Sequence, residues 1–198
     1  MRILLTFLAL ISVLHAEKKV FSISSLIGEN SAIAAGRPFT VALKLEHPDG
    51  WHSYYRNSGG VELPPKIAWN LPQGASAGQI QWPTPEVKEG YNGKSYIYRG
   101  SPVFLVEITP PASLSVGDVF TLGATANWQI CDTSCINESA KFSLDLLVSA
   151  EASLDPARTE LFQIARSRIP EQLLEPSEFH VEPGKDASDT ILIEVPKS

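Results

Sequence analysis

The strongest alternation of apolar and polar side chains in this chain occupies residues 120–131. Successive side chains of a β-strand project to opposite faces of the sheet, so one parity faces a core and the other faces solvent. The apolar parity comprises Phe120, Leu122, Ala124, Ala126, Trp128 and Ile130. Cys131 belongs to the polar parity, together with Asn127 and Gln129. The pattern predicts a half-buried strand, and we expect Cys131 on its outer face to be the more exposed cysteine.

A second alternating segment follows the loop that contains the cysteines. Its apolar positions are Phe142, Leu144, Leu146 and Val148, and they alternate with Lys141, Ser143 and Asp145. Two half-buried strands joined by a short polar loop are typical of a β-hairpin. We therefore expect a hairpin at the edge of a β-sandwich, with the two cysteines around its turn.

The same period of two predicts further strands along the chain. The clearest is PFTVALKLE at residues 38–46, which places Phe39, Val41, Leu43 and Leu45 on one face. The others are residues 20–25, 51–57, 66–71, 80–82 and 103–108. The 15 prolines and 13 glycines of the chain favour turns between short strands. The sequence therefore predicts an all-β architecture.

The last quarter of the chain has a different character. Asp155 suits a helix N-cap, Pro156 suits the first helical position, and Pro170 ends the segment. The predicted apolar stripe consists of Leu161, Ile164 and Ala165. We therefore expect a short helical extension over residues 151–170. Residues 171–198 are predicted to form a polar linker and one terminal strand, which either docks on the main sheet or belongs to another module.

The first 16 residues have the features of a cleavable signal peptide. Arg2 provides the positive charge, residues 3–14 are almost entirely apolar, and Ala16 is a plausible cleavage residue. The apolar segment is too short to span a bilayer, which requires ~20 residues. We therefore expect an exported protein, periplasmic or secreted, whose main domain covers residues 17–150.

The charge of the chain indicates which classes of binding partner can be excluded. The formal net charge is −6, and it becomes −7 once a signal peptide carrying Arg2 is removed. Nucleic acids and anionic lipid surfaces attract clustered Lys and Arg side chains, and the sequence has no such cluster. We therefore expect no nucleic-acid partner.

The chain has two cysteines, Cys131 and Cys135, four positions apart. In the chain-entropy model a disulfide across a loop of about five residues stabilises the fold by ~2 kcal/mol, against ~4.7 kcal/mol for about a hundred residues. Four extended residues would separate the Cα atoms by ~13 Å, so a bond between these cysteines requires a turn. The intervening residues, Asp132, Thr133 and Ser134, are turn formers. A weak structural staple is therefore one hypothesis.

Two other hypotheses are a metal site and an exchanging dithiol. Structural zinc requires four ligands, usually as two close pairs, whereas the chain has one cysteine pair. The histidines His47, His52 and His180 show no ligand spacing, so we expect no metal and no cofactor. A reversible dithiol/disulfide would instead pass electrons by thiolate attack on a partner's disulfide.

Three motifs resemble one known family. They are DGWHSYYRN at residues 49–57, GYNGKSYIYRG at residues 90–100 and NWQICDTSC at residues 127–135. In this order and spacing they resemble the N-terminal periplasmic domain of the DsbD-type thiol:disulfide interchange proteins and their ScsB-type relatives. The similarity spans about residues 39–148, and residues 155–170 resemble the helical extension of some relatives.

The resemblance implies an immunoglobulin-like β-sandwich that acts as a thiol:disulfide oxidoreductase component. It implies that reducing equivalents arrive from a polytopic membrane electron carrier and a thioredoxin-like protein. They would pass to periplasmic disulfide acceptor proteins, such as disulfide isomerases or cytochrome c maturation factors. The implied site residues are the exchanging pair Cys131 and Cys135, Tyr91 in a cap loop at residues 88–95, Tyr54 and Tyr55 beneath the site, and the acidic neighbour Glu89.

A binding module is the competing hypothesis. Trp51, His52, Tyr54 and Tyr55 form an aromatic cluster that is suited to sugar or protein contacts. In such a secreted β-sandwich the disulfide would be a local clip with no exchange partner. The two hypotheses differ in whether a thioredoxin-like protein reduces the bond.

Overall fold

The computed structural model describes residues 21–90, 93–170, 181–183 and 191–193. The predicted signal peptide at residues 1–16 and most of the predicted linker lie outside the described residues. The strands of the described part are β1 (Ile23–Gly28), β2 (Asn30–Ile33), β3 (Phe39–Glu46), β4 (His52–Tyr54), β5 (Lys66–Asn70), β6 (Ser76–Ala77), β7 (Glu86–Gly90), β8 (Gly93–Arg99), β9 (Val103–Thr109), β10 (Val119–Cys131), β11 (Cys135–Val148), β12 (Ser153–Leu154), β13 (Val181–Pro183) and β14 (Ile191–Ile193).

Two sheets form a sandwich of the immunoglobulin-like class, which confirms the predicted fold. The smaller sheet has the strand order β1-β3-β9-β6, and the larger has the order β12-β2-β11-β10-β4-β8-β7. Strand β5 also pairs with β10, opposite Gly123 to Asn127, whereas β4 meets β10 at Cys131. The free edge of β10 is therefore divided between two short strands, and β4 is the one that reaches the cysteine end.

The core lies between the sheets and follows the predicted alternation. The buried residues of β10 are Phe120, Leu122, Ala124, Ala126, Trp128 and Ile130. Facing them from the smaller sheet are Phe39, Val41, Leu43, Leu45, Phe104, Val106 and Ile108. Burying each large apolar side chain contributes about 1.5–3 kcal/mol, so this continuous layer fixes the register of the long hairpin.

Some strand predictions were wrong in extent. Residues 51–57 were predicted as one strand, but only His52–Tyr54 pairs as β4. Residues 80–82 form a single bridge between Gln81 and Leu105 rather than a strand, because the prolines that follow supply no backbone N–H for a ladder. The β7–β8 hairpin was not predicted as strands, since most of β7 is exposed on both faces and therefore lacks alternation.

A helix covers the outer face of the smaller sheet. The helix α1 (Thr159–Ser167) follows a 3₁₀ turn (Pro156–Arg158), and Asp155 caps this turn by accepting a 3.0 Å hydrogen bond from Ala157 N–H. Phe162 and Ala165 are buried against Ala42 and Leu105. None of the helical segments in the described part of the chain has the length and apolar character needed to cross a bilayer.

The predicted stripe of this helix was partly wrong. Ile164 is 45% exposed, whereas Phe162 is fully buried. An ion pair fixes the orientation of the helix, because both terminal nitrogens of Arg166 donate to the carboxylate of Glu29, one of them at 2.6 Å. The predicted terminal strand is present at Ile191–Ile193, where β14 pairs antiparallel with β13 in a two-stranded sheet.

Candidate functional site

A disulfide closes the long hairpin. Strands β10 and β11 pair residue by residue up to Cys131 and Cys135, which lie directly opposite each other. Residues 132–134 form the connecting loop, in which Asp132 N–H donates to the carbonyl of Ser134 at 3.1 Å. The Cα atoms of the cysteines are 4.1 Å apart and their sulfurs are bonded. Because the ladder already holds this loop closed, the bond adds little constraint to the fold.

The two sulfurs differ in exposure, in the opposite sense to the sequence-based expectation. Cys131 is only 3% exposed, whereas Cys135 is exposed. The strand parity of Cys131 was correct, but Tyr54 and Ile97 pack over the outer face at this end of β10. These side chains come from β4 and β8, which the sequence pattern did not place beside β10. A partner's sulfur that approaches from solvent therefore reaches Cys135 before Cys131.

Tyr54 forms one wall of the Cys131 environment. It is 4% exposed, and its phenol oxygen lies 3.3 Å from His52 Nε2. Burial, reinforced by the negative charge of Glu62, raises the pKa of Tyr54 to about 12. The phenol is therefore neutral at physiological pH and presents a mostly apolar surface to Cys131.

His52 lies opposite Cys131 on the neighbouring strand. The two residues are Cα partners of β4 and β10, and His52 is 2% exposed. The ammonium of Lys88 lies 3.4 Å from His52 Nε2. Burial and then the charge of Lys88 lower the pKa of His52 below its usual value, more strongly than the carbonyl of Gly50 raises it. The imidazole beside the disulfide is therefore neutral near pH 7.

The β7–β8 hairpin continues the larger sheet beyond β4, at the end where the cysteines lie. It supplies both Lys88 and Ile97 to the site. Glu89 lies opposite Lys94 in the ladder and is exposed, on the face opposite that of Lys88. Tyr91 lies outside the described residues, so its capping role stays a prediction.

Tyr55 lies on the other side of the chain from Tyr54. Its ring makes edge contacts with Trp82 and Tyr98, at centroid distances of 5.8 Å and 6.3 Å. The guanidinium of Arg56 lies over the same ring at 5.4 Å. The two tyrosines predicted beneath the site are thus divided between two clusters, and Tyr54 is the one that packs against Cys131.

A buried polar network lies below β4. The imidazole of His47 joins two hydroxyls, with Nδ1 3.1 Å from Ser22 Oγ and Nε2 2.9 Å from Ser53 Oγ. Burial lowers the pKa of His47 to about 4, although the nearby carboxylate of Glu138 acts in the opposite direction. This network connects the first described residues to the strand that carries His52 and Tyr54.

Sequence reasoning placed His52 in an aromatic cluster and Lys88 in the cap loop, but it did not place either residue beside Cys131, and it gave no role to Ile97 on β8. The available signal was the i, i+2 spacing of His52 and Tyr54, which places both side chains on one face of a strand. The described residues contain no group of three or more His, Cys, Asp or Glu side chains gathered as metal ligands. A cleft of about 570 Å³ between α1 and β8 is lined by Tyr98, Arg99, Leu161 and other side chains, and neither cysteine lines it.

Fold and site together define an immunoglobulin-like sandwich with a disulfide at the end of a hairpin, one sulfur exposed and the other covered. Residues 24–147 match the family model of the N-terminal domain of thiol:disulfide interchange protein DsbD. The chain belongs to this family, which confirms the resemblance indicated by its three motifs.

Two solved structures illustrate the relationship. The N-terminal periplasmic domain of ScsB from Proteus mirabilis superposes with a TM-score of 0.54 at 17% identity, covering 84% of this chain and 72% of that one. The complex of the DsbD and PilB N-terminal domains from Neisseria meningitidis gives 0.34 at 19% identity, covering 61% and 80%. At these identities the similarity to ScsB shows the fold. No curated protein matches the chain in sequence.

Proposed function

We propose that this domain passes reducing equivalents between proteins by opening and closing the bond between Cys131 and Cys135. The observation that carries the proposal is the asymmetry of the disulfide, with Cys135 exposed and Cys131 covered. A bond that spans five residues of an already paired hairpin stabilises the fold by only about 2 kcal/mol. Membership of a thiol:disulfide interchange family supports exchange over a structural clip.

The exchange proceeds in two balanced displacements. A thiolate of the reduced partner attacks Cys135 Sγ, which forms a mixed disulfide, and the electron pair of the broken bond moves to Cys131 Sγ. The partner's second thiolate then attacks the partner's sulfur in the mixed disulfide. This step forms the partner's disulfide and releases Cys135 as a thiolate. The partner leaves oxidised, and the domain keeps two electrons and, after protonation, two thiols. The reverse sequence reduces an acceptor's disulfide.

The side chains around the pair control access to it. Tyr54 covers Cys131 from β4, and Tyr91 at the tip of the β7–β8 hairpin acts as the lid of the exposed sulfur. Tyr55 supports β4 from the opposite cluster. Glu89 supplies a negative charge on the same hairpin, where it contributes to partner selection. Such shielding protects the dithiol from small oxidants while a docked protein displaces the lid.

The electron-transfer pathway that we propose for this domain is periplasmic. Residues 1–16 act as the signal peptide, residues 17–150 form the redox domain, residues 151–170 form the helical extension, and residues 171–198 form a linker with its terminal strand. The electron donors are a polytopic membrane carrier and a thioredoxin-like protein. The acceptors are periplasmic disulfide proteins, including isomerases and cytochrome c maturation factors. Family membership supports these assignments.

Trapping of mixed disulfides tests the proposed function. Cys131→Ser leaves the exposed Cys135 as the single thiol, and Cys135→Ser leaves the covered Cys131. The partner is a thioredoxin-like protein whose second cysteine is replaced by serine, so that it cannot release Cys135, and whose remaining thiol is activated as a disulfide with thionitrobenzoate. We expect Cys131→Ser to form a stable mixed disulfide with it and Cys135→Ser to form much less. The double variant is the matched control and should form none. If both single variants fold and neither is trapped, the exchange function is wrong and the binding-module hypothesis is favoured.

A further inference from the structure

The imidazole of His52 and the sulfur of Cys131 share one buried site. The residues are direct cross-strand partners, and their exposed fractions are 2% and 3%. Side chains of directly opposed residues project to the same face with Cβ atoms about 4.5–5.5 Å apart. His52 and Cys131 therefore project to the same face of the sheet, and no hydrogen bond joins Nδ1 to Sγ while the disulfide is closed.

The contact with Lys88 fixes the tautomer of the histidine. An ammonium group only donates hydrogen bonds, so Nε2 of His52 accepts from Lys88 Nζ, 3.4 Å away. A neutral imidazole carries one proton. With Nε2 acting as acceptor, that proton is on Nδ1, the nitrogen on the side of the backbone.

The Nδ1 atom of His52 is buried and makes no well-formed hydrogen bond among the described residues, although the carbonyl of Gly50 lies close enough to the ring to raise its pKa. A buried donor left without an acceptor costs about 1–3 kcal/mol. Such groups are rare in folded proteins, and each calls for a physical explanation. A disulfide sulfur is a weak acceptor, whereas a thiolate is a strong one, so an acceptor appears at this position when the disulfide opens.

The charged side chains around His52 and Cys131 carry both signs. They are Lys88 on β7, Arg99 on β8, Tyr54 on β4 and Asp132 in the hairpin loop, with His47 near His52 and Glu62 near Tyr54. Arg99 is the Cα partner of His52 on the other side of β4, and its guanidinium pairs with Glu86 at 2.6 Å. Of the two cations, Lys88 has the larger effect on the pKa of His52, which it lowers.

We propose that His52 donates its Nδ1–H to Cys131 Sγ once the disulfide opens, with Lys88 holding the ring in the required tautomer. The proposal rests on the exchange function described above. When a partner thiolate attacks Cys135, the electron pair leaves on Cys131, in a pocket walled by Tyr54 and Ile97. Such an apolar pocket disfavours an anion, and the hydrogen bond from His52 offsets that penalty. Cys131 thereby becomes a better leaving group.

The titration of the Cys131 thiol tests this role directly. In a Cys135→Ser background Cys131 is the single thiol, and its pKa follows from the ultraviolet absorbance of the thiolate, which requires no access by a reagent. We expect His52→Phe to lower the acid dissociation constant of the thiol about tenfold or more, as for the loss of a charge-assisted hydrogen bond. His52→Gln, which keeps an N–H donor, should lower it less.

Two further variants keep the test decisive. Lys88→Met removes the cation at a partly exposed position and should lower the dissociation constant in the same direction. His47→Gln changes the other buried histidine, which bonds to Ser22 and Ser53, and should leave the Cys131 titration unchanged. The proposal is overturned if His52→Phe and Lys88→Met leave the titration unaltered, or if His52→Phe and His52→Gln alter it equally.

These measurements use the isolated domain without any partner. A failure of mixed-disulfide trapping together with the expected shifts would reject the exchange function and leave the hydrogen bond in place. Normal trapping together with unaltered titrations would reject the hydrogen bond from His52 and leave the exchange function in place. As a second readout on the intact disulfide, the rate of reduction by dithiothreitol should fall in His52→Phe and stay unchanged in His47→Gln. Equal rates in the parent and in His52→Phe would count against the proposal.

Discussion

Trp128 and Glu138 face each other across the hairpin that carries the disulfide, and the indole N–H donates to Glu138 Oε2 at 2.8 Å. The carboxylate is 4% exposed, and its other oxygen accepts from the backbone N–H groups of Phe21 and Ser22. One buried side chain on β11 therefore binds the first described residues to β10. Together with the bonds of His47 to Ser22 and Ser53, this carboxylate joins the start of the described chain to the sandwich.

Replacement of Glu138 is expected to destabilise the domain strongly. In Glu138→Ala the buried N–H groups of Trp128 and Ser22 lose their acceptor, and each such loss costs about 1–3 kcal/mol. We expect a decrease of about 2 kcal/mol or more in the free energy of unfolding, measured by urea denaturation. Glu107→Ala, at an exposed strand position, is the matched control and should change stability by no more than about 0.5 kcal/mol. Equal effects of both variants would contradict the role of Glu138.

The stability of the domain is expected to fall in mild acid because of His47. Its pKa is about 4 in the folded state and 6.5 in the unfolded chain, so the unfolded chain binds the proton first as pH decreases. The stabilisation is complete above about pH 6.5 and is lost progressively as the pH falls to about 4, by about 3 kcal/mol in total. The lowered pKa of His52 acts with the same sign.

Urea denaturation across this pH range provides the measurement. The parent domain should lose stability steeply on acidification, and His47→Gln should lose distinctly less because its amide does not titrate. Glutamine retains donors and acceptors for Ser22 and Ser53, which limits the decrease in the free energy of unfolding caused by the substitution itself. Identical pH dependence in the two proteins would show that His47 is not the group responsible.

The helix is expected to be an integral part of the sandwich. Phe162 is fully buried on Ala42 and Leu105, so Phe162→Ala should lower the free energy of unfolding by about 3–5 kcal/mol. Ile164 lies on the same helix but is 45% exposed, and Ile164→Ala should cost about 0.5 kcal/mol or less. Thermal and urea denaturation of both variants compares them directly. A small loss in Phe162→Ala would mean that the helix contributes little to the fold.

The sequence was informative wherever a strand has one face in the core. The alternation at residues 120–131 correctly predicted each inward residue of β10, because burial on one face imposes a period of two. The helix was located from Asp155 and Pro156, but its stripe was misassigned because Ile164 and Phe162 are both apolar. Only the position of Ala42 and Leu105 determines which of them is buried.

Less of the site than of the fold could be predicted from the sequence. Both cysteines and Tyr54 could be named from the motifs, but the burial of Cys131 depends on β4 pairing with the end of β10 and on β8 pairing with β4. The paired residues are 43 to 79 positions apart in the sequence. Chain topology, rather than the local pattern of side chains, decides such pairings. The contact between His52 and Lys88 depends on the same pairings. Tyr91 stays a prediction from the motif alone.

Reduction of the oxidised wild-type domain by a thioredoxin-like protein tests the exchange most directly. The folded domain is incubated with an excess of reduced thioredoxin, and its free thiols are counted by alkylation after an acid quench. We expect both cysteines of the folded domain to become alkylated, and the double variant Cys131→Ser/Cys135→Ser to give none. A bond that stays closed in the folded domain, yet is reduced once the domain is unfolded in denaturant, would contradict a role in electron transfer.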